Sequence, residues 1–274
     1  MPVSERQLAA FADKHAWRIP FDTTPRHLAG PGDARHVTHG LAAAGWTRTS
    51  DPLSPEIVLT SPDHRYILQF DPQSATSAWW RLRAEPTDPE PSWYAEFGEL
   101  VPAELIGHLT DALLDSPPTE QPDALQVLRA ANWETDEQGT AHSPDGMCRL
   151  QLRHLGGHDA PSWCIETRDR GHDGYDGPLI WHAYLHSRTP THLVNAFVTA
   201  LASSDPLQRG MHDRTAHYGV VQQPSPFTQQ QVVEAHTDRL RAIRAQARAA
   251  RQHQRLATTA AASAASATRP AARR

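Results

Sequence analysis

Leu41-Ala42-Ala43-Ala44-Gly45-Trp46 and Leu128-Arg129-Ala130-Ala131-Asn132-Trp133 are nearly one phrase written twice, and the residues after them recur in the same order. Each copy continues with Ser-Pro-Asp (61–63 and 143–145) and a short strand holding Leu-Gln (Leu68-Gln69 and Leu150-Gln151). A strand centred on Trp80 or Trp163 follows, then a Trp-x-Ala strand (93–95 and 181–183). A Pro-opened apolar helix closes each copy, from Pro102 to Leu113 and from Pro190 to Leu201. The tryptophans recur at offsets of 87, 83 and 88 residues, so the copies differ by small loop insertions only. Such a tandem duplication predicts two structural units of one kind.

Within each unit the strands follow from alternation, and the two copies check each other. Tyr66, Leu68 and Phe70 share a face, as do Cys148, Leu150 and Leu152. Trp80, Leu82 and Ala84 match Trp163, Ile165 and Thr167; Trp93, Ala95 and Phe97 match Trp181, Ala183 and Leu185. The first strand, Ile57 to Thr60, is weaker in the second copy, where Gly139-Thr140-Ala141 takes its place. Asp33 and Asp123 are expected to cap the opening helices. Pro102 and Pro190 suit the first position of the closing ones, with Thr189 as the cap before Pro190. The expected fold is therefore α+β: two tandem helix–four-stranded antiparallel sheet–helix domains, at 35–118 and 119–206. Trp46, Trp80, Trp93, Trp133, Trp163 and Trp181 are expected in the cores, and Trp79 is expected to be more exposed than Trp80.

The flanks read differently. Residues 1–34 form an N-terminal arm with a helix near Gln7 to Trp17, and 207–228 form a polar linker with Pro224 and Pro226. A basic amphipathic helix is expected over 229–256, then a disordered Ala/Ser/Thr/Arg tail over 257–274. The formal net charge of −5 conceals a polarised chain. Residues 229–274 hold nine Arg against Glu234 and Asp238, a net of +7, which leaves −12 on the remainder. No apolar run approaches the ~20 residues of a membrane helix. The N-terminal residues lack a signal-peptide layout. Cys148 and Cys164 alone do not make a disulfide framework, which fits a reducing cytoplasm.

The paired units resemble the bacterial family of unknown function numbered 317, the SPDY-type domain. The marks are R-H-L-A-G-P-G-D (26–33), A-A-G-W (43–46), S-P-D-H-R-Y (61–66), the Trp79-Trp80 pair, S-W-Y-A-E-F (92–97) and P-A-E-L-I-G-H-L-T-D-A-L (102–113). The second copy departs at Gly146-Met147-Cys148, where the first has an aromatic strand start. The resemblance implies an actinobacterial source and tandem copies, and carries no activity with it.

No stretch declares a chemistry. Ser-Pro-Asp is type I turn chemistry between strands, without the surroundings of a catalytic serine. Seventeen His include no H-E-x-x-H or other ligand spacing, so neither metal nor cofactor is expected. Two surfaces stand out. Alternation places Gln69, Trp79, Arg81, Tyr94, Gln151, His182 and Tyr184 on the sheet face opposite the core, a face of the kind that packs on a partner. Arg241, Arg244, Arg248, Arg251 and Arg255 align along one helical face as candidate phosphate contacts, beside a sparse apolar seam of Val233, Leu240, Ile243, Ala247 and Ala250 that His236 interrupts. The expected function is non-enzymatic protein interaction or scaffolding, including self-association. The alternatives are a nucleic-acid contact through 229–274 and an enzyme of unrecognised type.

Overall fold

A reciprocal cap starts the first helix. The Ser4 hydroxyl accepts the Gln7 N–H and the Gln7 side chain accepts the Ser4 N–H at 2.8 Å, so α1 runs Glu5–Ala16. A strand, β1 (Pro20–Thr24), and a 3₁₀ turn (Arg26–Leu28) complete the arm. The computed structural model describes residues 3–76, 78–115, 117–119, 122–154, 161–171 and 176–267, with the backbone alone over 254–267.

The first repeat is α2 (Arg35–Ala44), β2 (Thr47–Arg48), β3 (Ile57–Thr60), β4 (Tyr66–Phe70), β5 (Ala78–Ala84), β6 (Trp93–Gly98) and α3 (Ala103–Leu114). The second is α4 (Ala124–Ala130), β7 (Glu134–Thr135), β8 (Ala141–His142), β9 (Cys148–Arg153), β10 (Ser162–Arg168), β11 (Leu179–Leu185) and α5 (Thr191–Ala202). Then come β12 (Leu207–Gly210), β13 (Val221–Pro224) and α6 (Gln229–Ala267). The opening helices stop alike. Gly45 at φ 101° and Asn132 at φ 62° take the left-handed conformation, and the Trp46 and Trp133 N–H groups reach back to Leu41 O and Leu128 O. Asp123 caps α4; at α2 the N-cap position falls to Ala34, and the Asp33 carboxylate one residue earlier accepts the Arg35 N–H at 3.0 Å while also binding the Lys14 and Arg35 side chains. Pro102 and Pro190 sit one position earlier than expected, as the N-caps of α3 and α5, which displaces Thr189 from that role.

The repeats do not form two separate four-stranded sheets. Each contributes five strands, two of them only two residues long in the second repeat, to one antiparallel sheet of ten in the order β2-β3-β4-β5-β6-β11-β10-β9-β8-β7. The join is β6 against β11, where Ala95, Glu96 and Phe97 pair with Leu185, Tyr184 and Ala183. Each of these strands would otherwise expose a row of unpaired backbone groups, and pairing removes both edges together. Helices α4, α5, α3 and α2 pack side by side in that order, α6 lies against α2 and reaches α3 through Arg239 and Asp111, and α1 packs on α6. Phe97 and Phe197 meet across the junction with ring centroids 5.4 Å apart, inside one continuous core that includes Leu68, Leu82, Leu105, Leu150, Ile165 and Leu193. Five of the six repeat tryptophans are buried. Trp163 is half-buried, because its cross-strand neighbour Leu152 lies at the exposed end of β9.

The flanks are part of the body. Residues 207–228 are more than a linker: β12 and β13 pair antiparallel with β1 on its two edges, giving a second sheet of order β12-β1-β13. Arg209 of β12 is buried and clamps the arm to α3. It donates to Glu104 at 2.6 and 2.9 Å and to the Ala29 and Gly30 carbonyls. The α6 helix packs on α1 and α2 through His236, Leu240 and Ile243, so His236 is central to the seam it was expected to interrupt. It continues as helix to Ala267, past the expected end at Leu256 into the stretch expected to be disordered. Residues 268–274 of that tail lie outside the described residues. Among the described residues no helix is long and apolar enough to cross a membrane.

Candidate functional site

Because strand side chains alternate, the face away from the helices collects the residues between the core positions. One row crosses six strands there, Gln69–Arg81–Glu96–Tyr184–Cys164–Gln151, each residue paired with the next. Four of the seven candidate face residues thus fall in a single line. Tyr94 is in the adjoining row beside Arg83, and His182 pairs with Glu166 nearer the second repeat's turns. Trp79 stands apart at a register shift of β5, half-buried and edge-on to Phe70, while Trp80 is 2 % exposed.

The two halves of this face differ in character. On the first repeat Gln69 donates to Glu56 at 2.6 Å, and Arg81 donates to Thr76 at 2.5 Å and lies 3.5 Å from Glu96. These groups are half-exposed and their ion pairing is loose. On the second repeat Glu166 is buried beneath arginines, with Arg149 at 2.6 Å, Arg168 at 3.1 Å and Arg153 at 3.8 Å. Burial alone would raise the Glu166 carboxyl, but the Arg149 and Arg168 bonds outweigh it and hold it below the usual range. Burial also lowers His182, whose ring lies tilted 5.0 Å from that of Tyr184, and pushes the Cys164 thiol up to about 11. That thiol is a packed, weakly polar group rather than a nucleophile.

At the join, β5, β6 and the segment just after β11 line a cleft of about 590 Å³ with Arg83, Glu85, Tyr94, Glu96, His186 and Arg188. Tyr94 and His186 approach to 5.2 Å across the two repeats. Both charge signs and an aromatic ring converge there, an arrangement suited to a polar chain with side chains of either sign.

The C-terminal arginines have divided roles. Arg241 lies 2.6 Å from Asp238 on the surface, and Arg244 is partly buried with a bond to Val3 O at 3.0 Å. Arg248 and Arg251 are exposed, the latter beside Gly45. The side chain of Arg255 lies outside the described residues. Arg239, off the spacing that singled out the others, makes the firmest contact of the helix: two bonds to Asp111 at 2.7 and 2.8 Å and a third to His36 O. Only the tertiary fold brings Asp111 to it.

The Ser-Pro-Asp segments are turns. Ser61 and Ser143 donate to Asp63 and Asp145 at 2.5 Å and accept the Tyr66 and Cys148 N–H groups. His27 reaches Asp145 at 2.9 Å, a contact that sequence reading missed because its partners lie 118 residues apart. The carboxylate stands between hydroxyl and imidazole, so His27 is not placed to deprotonate Ser143. Among the described residues no group of three or more His, Cys, Asp and Glu is arranged to hold a metal ion.

No curated protein and no solved structure matches the chain. Residues 60–119 and 142–207, each running from the Ser-Pro-Asp turn through the closing helix, match the SPDY domain, a domain of unknown function (DUF317), so the chain carries two tandem copies of that domain.

Proposed function

We propose that the protein is a non-enzymatic interaction module whose helix-free sheet face receives a polar segment of a protein partner. The observation that carries the reading is the fusion of the two repeats into one ten-stranded sheet, with the helices of both repeats packed on its core face among the described residues. A face of this width is larger than a small ligand needs, and its mixed charges and half-exposed tyrosines match the composition of transient protein interfaces. The test is photo-crosslinking from position 94 in the cleft and from position 248 on α6, in the full chain within its native cell extract. Adducts from position 94 that disappear in Arg83→Glu/Arg188→Glu are expected. Adducts from position 248 alone would overturn the reading.

A second reading has its own support in exposed Arg248 and Arg251, which leave cations free for phosphates. Retention of duplex DNA or RNA that weakens with salt, and is lost in Arg248→Glu/Arg251→Glu, would favour it over the sheet face.

A further inference from the structure

Phe11 of α1 is ringed by imidazoles at the junction of α1, α2 and α6. His236 stacks on it with centroids 4.0 Å apart and planes 18° from parallel, and His15 lies at 4.3 Å. His36 and His39 complete the ring at 6.0 and 6.2 Å. Within this cluster His39 Nδ1 faces His236 Nε2 at 3.2 Å, both residues buried. Two ring nitrogens at that distance share one proton: one donates and the other must accept, so the contact requires a neutral imidazole. The remaining nitrogen of His236 is buried without a hydrogen-bond partner. Beside this cluster α6 is held at its edges by Arg244 on Val3 O and Gln246 on Asp115. Leu240 and Ile243 are its buried apolar residues, and Arg239 ties it to Asp111 and to His36 O.

We propose that this imidazole junction is an acid-opened latch, in which protonation of His39 and His236 drives α6 off α1 and α2 while the ten-stranded sheet stays folded. The surrounding carboxylates offer a second proton little relief. Asp33 is already bound by Lys14 at 2.8 Å and Arg35 at 2.7 Å, with His15 3.8 Å away. Glu104 of α3 is engaged by Arg209 at 2.6 Å and lies 3.7 Å from His36, while Arg239 takes Asp111. The facing carboxylates are therefore committed to cations, and Arg35, Arg239 and Arg244 add positive charge of their own. Two imidazolium ions 3.2 Å apart in this setting repel, and the pull of Asp33 offsets that only in part.

Burial first, then the neighbouring charge of Arg35, lowers His39 to about 4 against the pull of Asp33. Burial, then His36 and His39, lowers His236 to about 3. The sign follows. A histidine whose docked pKa lies below its free value stabilises docking fully above about 6.5, and that stabilisation drains away as pH falls from there toward the docked value. Within the window each histidine weakens docking by about tenfold per pH unit.

Amide hydrogen exchange on the full chain, stepped from pH 7.5 to 4.5, reads the latch directly once intrinsic rates are normalised. The amides of α6 are expected to lose protection below about pH 6.5 while those of β5, β6, β10 and β11 keep theirs. His236→Phe preserves the stack on Phe11 and cannot titrate; at pH 5 it should raise α6 protection at least ~10-fold over the natural chain. His39→Gln keeps a neutral hydrogen-bonding group opposite His236, and should shift the opening the same way if the first variant packs poorly. Simultaneous loss of α6 and strand protection, or opening of both variants at the natural pH, would overturn the proposal.

Discussion

At the first Ser-Pro-Asp turn, Asp63 faces solvent and is met by Ser61 and the Arg65 N–H; at the second, Asp145 also binds His27 of the N-terminal arm at 2.9 Å. The rows beside the turns correspond residue for residue, Tyr66–Ala84–Trp93 in one repeat and Cys148–Thr167–Trp181 in the other. Yet the Trp181 indole donates to His27 O at 2.7 Å, whereas the Trp93 indole N–H is buried without a partner. Arg26 adds bonds to Ala200 O and Asp205 O at the end of α5. In the first repeat Tyr66 takes the place of Cys148 and packs its ring between Trp46 and Trp93, with centroids 6.4 and 6.2 Å away. Arg26 and His27 of the arm precede the first repeat in sequence but serve the second in space. Copies of a sequence need not share an environment, and the arm is what makes these two differ.

Breaking the arm's hold gives the largest expected effect. Arg26→Met leaves two carbonyls near the end of α5 without their donor and should cost about 3 kcal/mol in urea unfolding, at roughly 1.5 per charged hydrogen bond. A loss near zero would mean that the arm merely lies on the second repeat. Next comes the tryptophan pair. Trp181→Phe strands the His27 carbonyl and should cost about 1–3 kcal/mol, while Trp93→Phe removes an N–H that already lacks a partner and should stay within about 1 kcal/mol. Equal losses would remove the distinction between the repeats.

The smallest effect is expected at the turns. Asp145→Asn should cost about 1 kcal/mol, and Asp63→Asn only a few tenths, by the usual scale for partly exposed charged contacts. A pH titration separates them further. Burial on its own would raise Asp145, but His27, Ser143 and the Met147 N–H outweigh it and hold the carboxyl well below its ordinary range. A carboxylate depressed in the folded state stabilises above about pH 4 and loses that contribution as pH falls through its folded value. Thermal melts from pH 6 to 2.5 should therefore show a shallower acid limb for Asp145→Asn than for the natural chain. Identical limbs would remove Asp145 from the account.

Within the repeats, much of the local structure was legible because it is written in short-range periodicity. Two-residue alternation put Leu68, Leu82, Ala95, Leu150, Ile165 and Ala183 on one sheet face, and all six are buried. The same alternation put Gln69, Arg81, Tyr184 and Gln151 opposite, where the structure aligns them in one row. Trp163 escaped this logic because a strand's period says which way a side chain points and not how far the cover extends.

The sequence by itself determined the duplication, the helix–strands–helix order of each copy without its two-residue β2 and β7, and the inward face of the longer strands, since all of these follow from residues a few positions apart. Only the tertiary structure decided that β6 and β11 join two sheets into one, that residues 207–228 sandwich β1, and that Arg26 and His27 serve the distant repeat. It likewise paired Arg239 with Asp111 and set His39 against His236. The physical reason is common to them. An unpaired strand edge, a buried carbonyl or a desolvated charge requires a partner but does not name it, and these partners came from contacts 86 or more residues away along the chain.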